Sequence, residues 1–358
     1  MNAATNAEYR KLGLDSSNAM IEHDADRTLG RYPKAAWHIL RAGLVRAQMG
    51  QMMSDDGNFT QAAADWLSAA ACFDLATDPT RMREALDRVR KLDQEGKIPP
   101  ERRDLHEAIK EREEELKALE QKLRRSHQDR QAVLGAARAA NPEALAWLLT
   151  QVRELPGSPH LHADISDQAM ALGQRALASE SLAWARRFDP GSPHLALLQA
   201  SQLFSLGEAD TAAEIARAVL AEHPQMDDAR FLLAQTQAFR AGADPNNWNA
   251  TDWEAAINTL QPLVADGSPN TFTKLMAIGL VTTLLHGIGN EIEYRRALGV
   301  FDKLAESLLM PLARELTTRV RQTMPHVFAR PGSNGSYVPA KPDYAAMRTL
   351  FSPSAVSA

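Results

Sequence analysis

Gly157-Ser-Pro-His-Leu161 recurs letter for letter as Gly191-Ser-Pro-His-Leu195, a shift of 34 residues. Pro156, Pro190 and Pro224 stand at the same period, as do Gly173 and Gly207, and Ala144, Ala178 and Ala212. Each repeated letter has a mechanical reason. Ser158 and Ser192 can accept from N–H groups of a helix's first turn, and Pro159 and Pro193 fit the first helical position, where no N–H is missed. Gly173 and Gly207 fall where one helix must stop and reverse, in the left-handed conformation glycine adopts without a steric penalty. Ala178 and Ala212 allow two helices to pack closely across a hairpin, and Pro190 and Pro224 end the second helix. One unit is therefore predicted to be helix, tight turn, antiparallel helix, turn. Gly267-Ser-Pro-Asn270 is a third copy of the cap, 76 residues beyond Gly191. That shift exceeds two periods, and Asp244-Pro-Asn-Asn-Trp-Asn249 is the expected place for the extra loop.

Outward from the repeat, the rest of the chain also reads as helix. Ala and Leu abound, β-branched runs are nearly absent, and no stretch alternates apolar and polar with hairpin turns. In Leu195 to Phe204 apolar residues fall three and four apart, as one buried helix face requires. The fold class expected is all-α, an α-solenoid of antiparallel hairpins. The 358 residues suit two or three compact units or one array. With 44% apolar and 24% charged residues the composition is that of an ordinary soluble domain. A formal charge of −5 argues against a nucleic-acid binder. Cys72 alone rules out a disulfide framework. The polar opening Met1 to Asp15 is unlike a secretion signal. Leu275 to Ile288, the most apolar stretch, is short of the ~20 residues a membrane span needs. A cytoplasmic protein without a membrane contact is expected. Thirty Arg against ten Lys, with abundant Ala, suggest a GC-rich bacterial source.

Four sections are expected: an N-terminal helical region over 1–97, a long charged helix over 98–140, a helical array over 141–328 and a mostly disordered tail over 329–358. Helix in the first section should begin near Asn18. Pro99 and Pro100 can only start the charged helix and Asn141-Pro142 forces its end, giving about 60 Å at ~1.5 Å per residue. Glu113/Lys117 and Glu120/Arg124 are acid-before-base pairs four apart, suited to a solvated helix. Leu105, Ile109, Leu116, Leu119 and Leu123 form a narrow seam interrupted by Arg112. The charged N-terminal two-thirds should project from the body as a surface helix. The alternative is a short coiled coil, in cis with a neighbouring helix or in trans as a homodimer.

The second-helix half of the unit resembles the tetratricopeptide repeat family: Ala178-x3-Leu182 with Pro190, Ala212-x3-Ala216 with Pro224, and Ala144-x3-Leu148 with Pro156. Gly57-Asn-Phe59-x2-Ala62-x3-Trp66 is the best match, with Trp37-x2-Leu40 upstream as a first-helix start. The first helices of the clearest repeats lack the family's Trp and Gly-x2-Tyr. The resemblance implies a protein or peptide partner held in a concave groove lined by first helices. Carried onto this chain, the groove positions are His160, Asp164 and Asp167, then His194, Leu197, Ser201 and Phe204, then Phe231, Gln235 and Phe239. The tail, with Tyr337, Tyr344 and Phe351, could fold back into that groove.

Other chemistry reads poorly. His160 and His162 point about 200° apart on a helix and cannot chelate one ion. His23-Asp24-Ala-Asp26 has no second histidine-bearing helix at suitable spacing. Cys72 follows Ala69 to Ala71 on an apolar face and reads as a small buried hydrophobe. No phosphate loop, nucleophile elbow or dinucleotide fingerprint is present. The function expected is a non-enzymatic interaction scaffold with no cofactor or metal; structural self-assembly through the charged helix is the alternative.

Overall fold

The computed structural model describes residues 3–136, 141–241, 250–265, 272–287 and 289–308. Among them every regular element is a helix, in two compact units, Met1–Gly191 and Ser192–Ala358. The N-terminal unit holds α1 (Ala3–Thr28), α2 (Tyr32–Asp55), α3 (Phe59–Leu75), α4 (Pro79–Gln94), α5 (Arg103–Ala136), α6 (Pro142–Gln151), α7 (Pro159–Ala171) and α8 (Arg175–Phe188). The C-terminal unit holds α9 (Pro193–Ser205), α10 (Ala209–Glu222), α11 (Asp227–Ala241), α12 (Ala250–Val264), α13 (Phe272–Gly287) and α14 (Glu291–Leu308). Nearly every helix packs on its neighbour in sequence, as hairpins must. The division at Gly191 falls inside the section the repeat had suggested to be one array. The third cap at 267–270, the 244–249 loop and the 329–358 tail lie outside the described residues.

The repeated letters do the work their chemistry suggests. Ser158 Oγ accepts from the Leu161 N–H at 3.4 Å and Ser192 Oγ from that of Leu195 at 3.5 Å, with Pro159 and Pro193 opening α7 and α9. Gly173 and Gly207 end their helices at φ 75° and 92°. There the next residue closes the turn, Gln174 N to Ala169 O at 2.7 Å and Glu208 N to Leu203 O at 2.9 Å. Ala178 and Ala212 are fully buried at the hairpin contacts. These hairpins are tetratricopeptide-like. In the α2–α3 hairpin the close approach is made by two glycines on α2. A Cβ on Gly43 would sit 2.7 Å from the Phe73 ring, and one on Gly50 would sit 2.6 Å from Trp66.

The charged helix departs from expectation. It spans Arg103–Ala136 and its N-terminal part does not project. Leu105, Ile109, Leu116 and Leu119 are buried in the core formed with α2, α3 and α4, so the seam is filled by the same chain. The expected pairs four apart do not form. Glu113 reaches Arg90 of α4 at 2.6 Å, Glu120 pairs with Arg83, and Lys117 takes Glu114 at 2.7 Å. An acid beside α4 finds an arginine there, and the pattern that suits a solvated helix serves equally as a lateral weld. Further along, Leu123 and Leu134 pack against the α6–α7 cluster.

Helix also starts earlier than Asn18, because α1 packs through a polar stripe that apolar periodicity does not detect. Ser16, Ala19, His23 and Asp26 are its buried positions. Ser16 accepts from Arg46 Nε at 3.1 Å, and Tyr9 donates to the buried Asp65 carboxylate at 2.6 Å. Burial and that carboxylate push the Tyr9 phenol up to about 12.

One turn stands apart. At the end of α3 the left-handed position is taken by Thr77, φ 57°, where other helix ends use glycine. Its hydroxyl donates to the Ala76 carbonyl at 2.7 Å and accepts from the Gly157 N–H at 3.1 Å. Gly157 lies so close that a Cβ would meet the Ala76 oxygen at 2.0 Å, whereas a Cβ on Gly191 meets nothing. Gly157→Ala should therefore cost about 3 kcal/mol of folding free energy in denaturant titration. Gly191→Ala, with the same neighbours in sequence, should be neutral or stabilising by up to about 1 kcal/mol.

Candidate functional site

In the C-terminal unit the first helices lie side by side. α9 touches α11 and α11 touches α13, while α10 and α12 meet only glancingly if at all among the described residues. The first helices of this unit thus form a layer of their own.

The expected groove residues on that unit divide into two sorts. Leu197 belongs to the core joining α9, α10 and α11, and Phe231 to the core around α11, α12 and α13. Both are packing residues in this fold. Gln235 is buried, Ser201 half-buried and His194 exposed. Phe204 and Phe239 are half-buried and brought together, ring centroids 5.5 Å apart and nearly perpendicular at 88°. That edge-to-face geometry joins α9 to α11 and leaves part of each ring at the surface. Arg240 pairs with Asp210 at 3.0 Å beside it.

His160, Asp164 and Asp167 belong to the other unit. His160 is exposed and lines a cavity of about 900 Å³ with Arg124, His127 and Phe188. Asp164 serves the fold: its carboxylate accepts from Arg130 Nε at 2.6 Å, and Arg130 is 3% exposed with Ser126 Oγ as its other partner at 2.8 Å. Burial pushes the Asp164 carboxyl up, with Arg130 pulling the other way. Asp167 is half-buried on the same helix. A second cavity of about 760 Å³, lined by Tyr32, Leu75, Leu119 and Pro156, lies on the other side of Thr77, which borders both.

An aromatic cluster with no local signature closes this unit. Phe188, at the end of α8, stacks on His162 at 5.8 Å and on Trp184 at 6.1 Å, and meets Trp37 of α2 edge-on at 6.4 Å. His162 Nε2–H donates to the Pro156 carbonyl at 2.8 Å. Burial holds the ring's basicity below that of an ordinary histidine. Repetition of the cap had made His160 and His194 conspicuous; the histidine with an internal role lies two residues on. Among the described residues no three His, Cys, Asp or Glu gather closely enough to hold a metal ion. Cys72 is buried and its thiol is pushed up to about 11 by burial, keeping it protonated and inert at neutral pH. No described helix is long and apolar enough to cross a membrane.

Two measurements check these assignments. Phe204→Ala and Phe239→Ala, combined in a double-mutant cycle of stability, should couple by about 0.5–1.5 kcal/mol. Each alone should cost less than the ~3–5 kcal/mol of a fully buried Phe. A folded-state pKa below that of the unfolded chain means protons bind the unfolded state first. Acidification from about pH 7 through an unfolded-state value near 6.5 should thus destabilise the N-terminal unit, and His162→Gln should flatten that part of the pH profile.

No protein-family model matches the chain, and no curated protein matches it. Among solved structures it is similar to the TPR domain of P58(IPK), at 12% identity over 96% of this chain and 98% of that one, with a TM-score of 0.31. The tetratricopeptide-like character of the hairpins rests on their caps, turns and pairing.

Proposed function

We propose that this chain is a non-enzymatic interaction scaffold that holds a protein or peptide partner against the first-helix face of its C-terminal unit. The observation that carries the reading is the Phe204–Phe239 pair. Two half-buried aromatic rings lie side by side across α9 and α11, where a ligand can complete the burial that each ring lacks. Aromatic anchors of this kind dominate peptide and protein contacts. Ser201 and His194 on α9 would supply polar contacts along the row, while Gln235 on α11 is buried. His160, Asp164 and Asp167 would serve a partner only as a separate patch, with Asp164 already committed to Arg130. Self-assembly through the charged helix is the weaker reading, since its Leu116 and Leu119 are buried in cis. In this reading the protein works in a bacterial cytoplasm, without nucleic acid or cofactor.

A photo-reactive residue at Ser201 should crosslink one defined partner, and the same residue at Arg217, on the exposed side of α10, should not. Phe204→Ala with Phe239→Ala should lower capture of that partner roughly tenfold or more. Equal labelling from both positions, or capture unaffected by the double truncation, would reject the groove.

A further inference from the structure

The first helix is inside out. Toward α2 it presents Ser16, Ala19, His23 and Asp26, held by polar contacts. Arg46 binds Ser16, Lys34 reaches Asp26 at 3.2 Å, and the His38 ring lies 3.2 Å from Asp26. His38 Nδ1 also comes within 2.8 Å of the Glu22 carboxylate, off the line of a hydrogen bond. At 100° per residue the opposite side of the helix carries Ala7, Leu14, Asn18, Ile21 and Ala25, with Leu29 just past its end. Leu14, Ile21 and Leu29 are 66%, 67% and 64% exposed. An isolated exposed leucine needs no explanation. A stripe at four-three-four spacing, diametrically opposite the packed face, is the seam of a helix pair.

Its charges identify the occupant. Arg10 lies on one flank near the N-terminal end, and Asp24 lies on that same flank near the C-terminal end. Lys11 and Glu22 are placed in the same way on the other flank. A parallel pair of these helices would set like charges level with one another. An antiparallel pair with its two-fold axis at Ser17 sets Arg10 of one copy against Asp24 of the other, twice, and brings Lys11 toward Glu22. The same register lays Leu14 of one copy beside Ile21 of the other. The patch is thus complementary to itself, as an isologous contact must be.

We propose that α1 is a self-association face, through which two copies of this chain pair antiparallel. Three large apolar side chains per copy lie at the small end of specific interfaces, so the association is weak and concentration-dependent.

Sedimentation velocity of the full chain, from low-micromolar to near-millimolar concentration, tests this. The wild type should pass from monomer to dimer. Ile21→Glu should stay monomeric with an unchanged melting temperature, because the side chain is solvent-exposed in the monomer. Arg10→Glu and Asp24→Arg should each weaken the dimer about tenfold, and the two together should restore it, since both cross-pairs are then rebuilt with reversed sign. A wild type monomeric throughout the range overturns the proposal. So does a dimer that survives Ile21→Glu, or a charge-reversed double variant no better than its parents. Co-pelleting of a monomeric wild type with anionic phospholipid vesicles would replace the second copy by a lipid surface.

Discussion

A chain of antiparallel helices depends first on being made to reverse, and here reversal is a backbone constraint. At Gly30, Gly57, Gly96, Gly173, Gly207 and Gly289 the residue after a helix adopts positive φ, and the following N–H returns to a carbonyl of the last turn. Glycine does this without a Cβ in the way. Thr77 does it at a cost of about 1–3 kcal/mol, and its two hydrogen bonds offset that by about 0.5–1.5 kcal/mol each. One of the two compensating bonds reaches Gly157. One turn has become the attachment point for a loop eighty residues further along.

Electrostatics complete what the turns begin, chiefly as cross-links between elements. The α4 arginines Arg83 and Arg90 take the α5 acids Glu120 and Glu113, Arg130 ties α5 to α7 through Asp164, and Arg46 of α2 bridges Ser16 of α1 and Asp65 of α3. Exposed pairs of this kind contribute little individually. Arg130 and Asp65 differ, because their side chains are almost wholly buried and would stand unpaired in the interior if the partner were lost. The packing faces of α1 and of mid-α5 are therefore specified by polar groups as much as by oil.

The repeat was legible because caps, turns and small residues act within a few positions of themselves. Ser158, Gly173 and Ala178 could be assigned their jobs from the letters alone, and the hairpins follow. Where partners are distant, the letters say less. A charged helix with a thin leucine seam reads the same whether water or α4 lies beside its glutamates. A polar stripe such as Ser16, His23 and Asp26 looks solvated until Arg46 and Lys34 are seen across from it. Phe204 and Phe239 could be placed one repeat apart, but not that each is the other's neighbour. Leu197 and Phe231 look like anchors only until their packing against α10 and α12 is seen.

The clasp at Thr77 and the insertion of Phe188 beside Trp37 also set an order of events as the chain leaves the ribosome. The hairpins α9–α10, α11–α12 and α13–α14 rest on near neighbours in sequence and can add one after another, as low-contact-order arrays do. The N-terminal unit adds to such neighbour packing a contact that closes a long loop, since Phe188 joins the core of the early helices beside Trp37 only once that residue emerges. The part of the protein made first is the part that must wait.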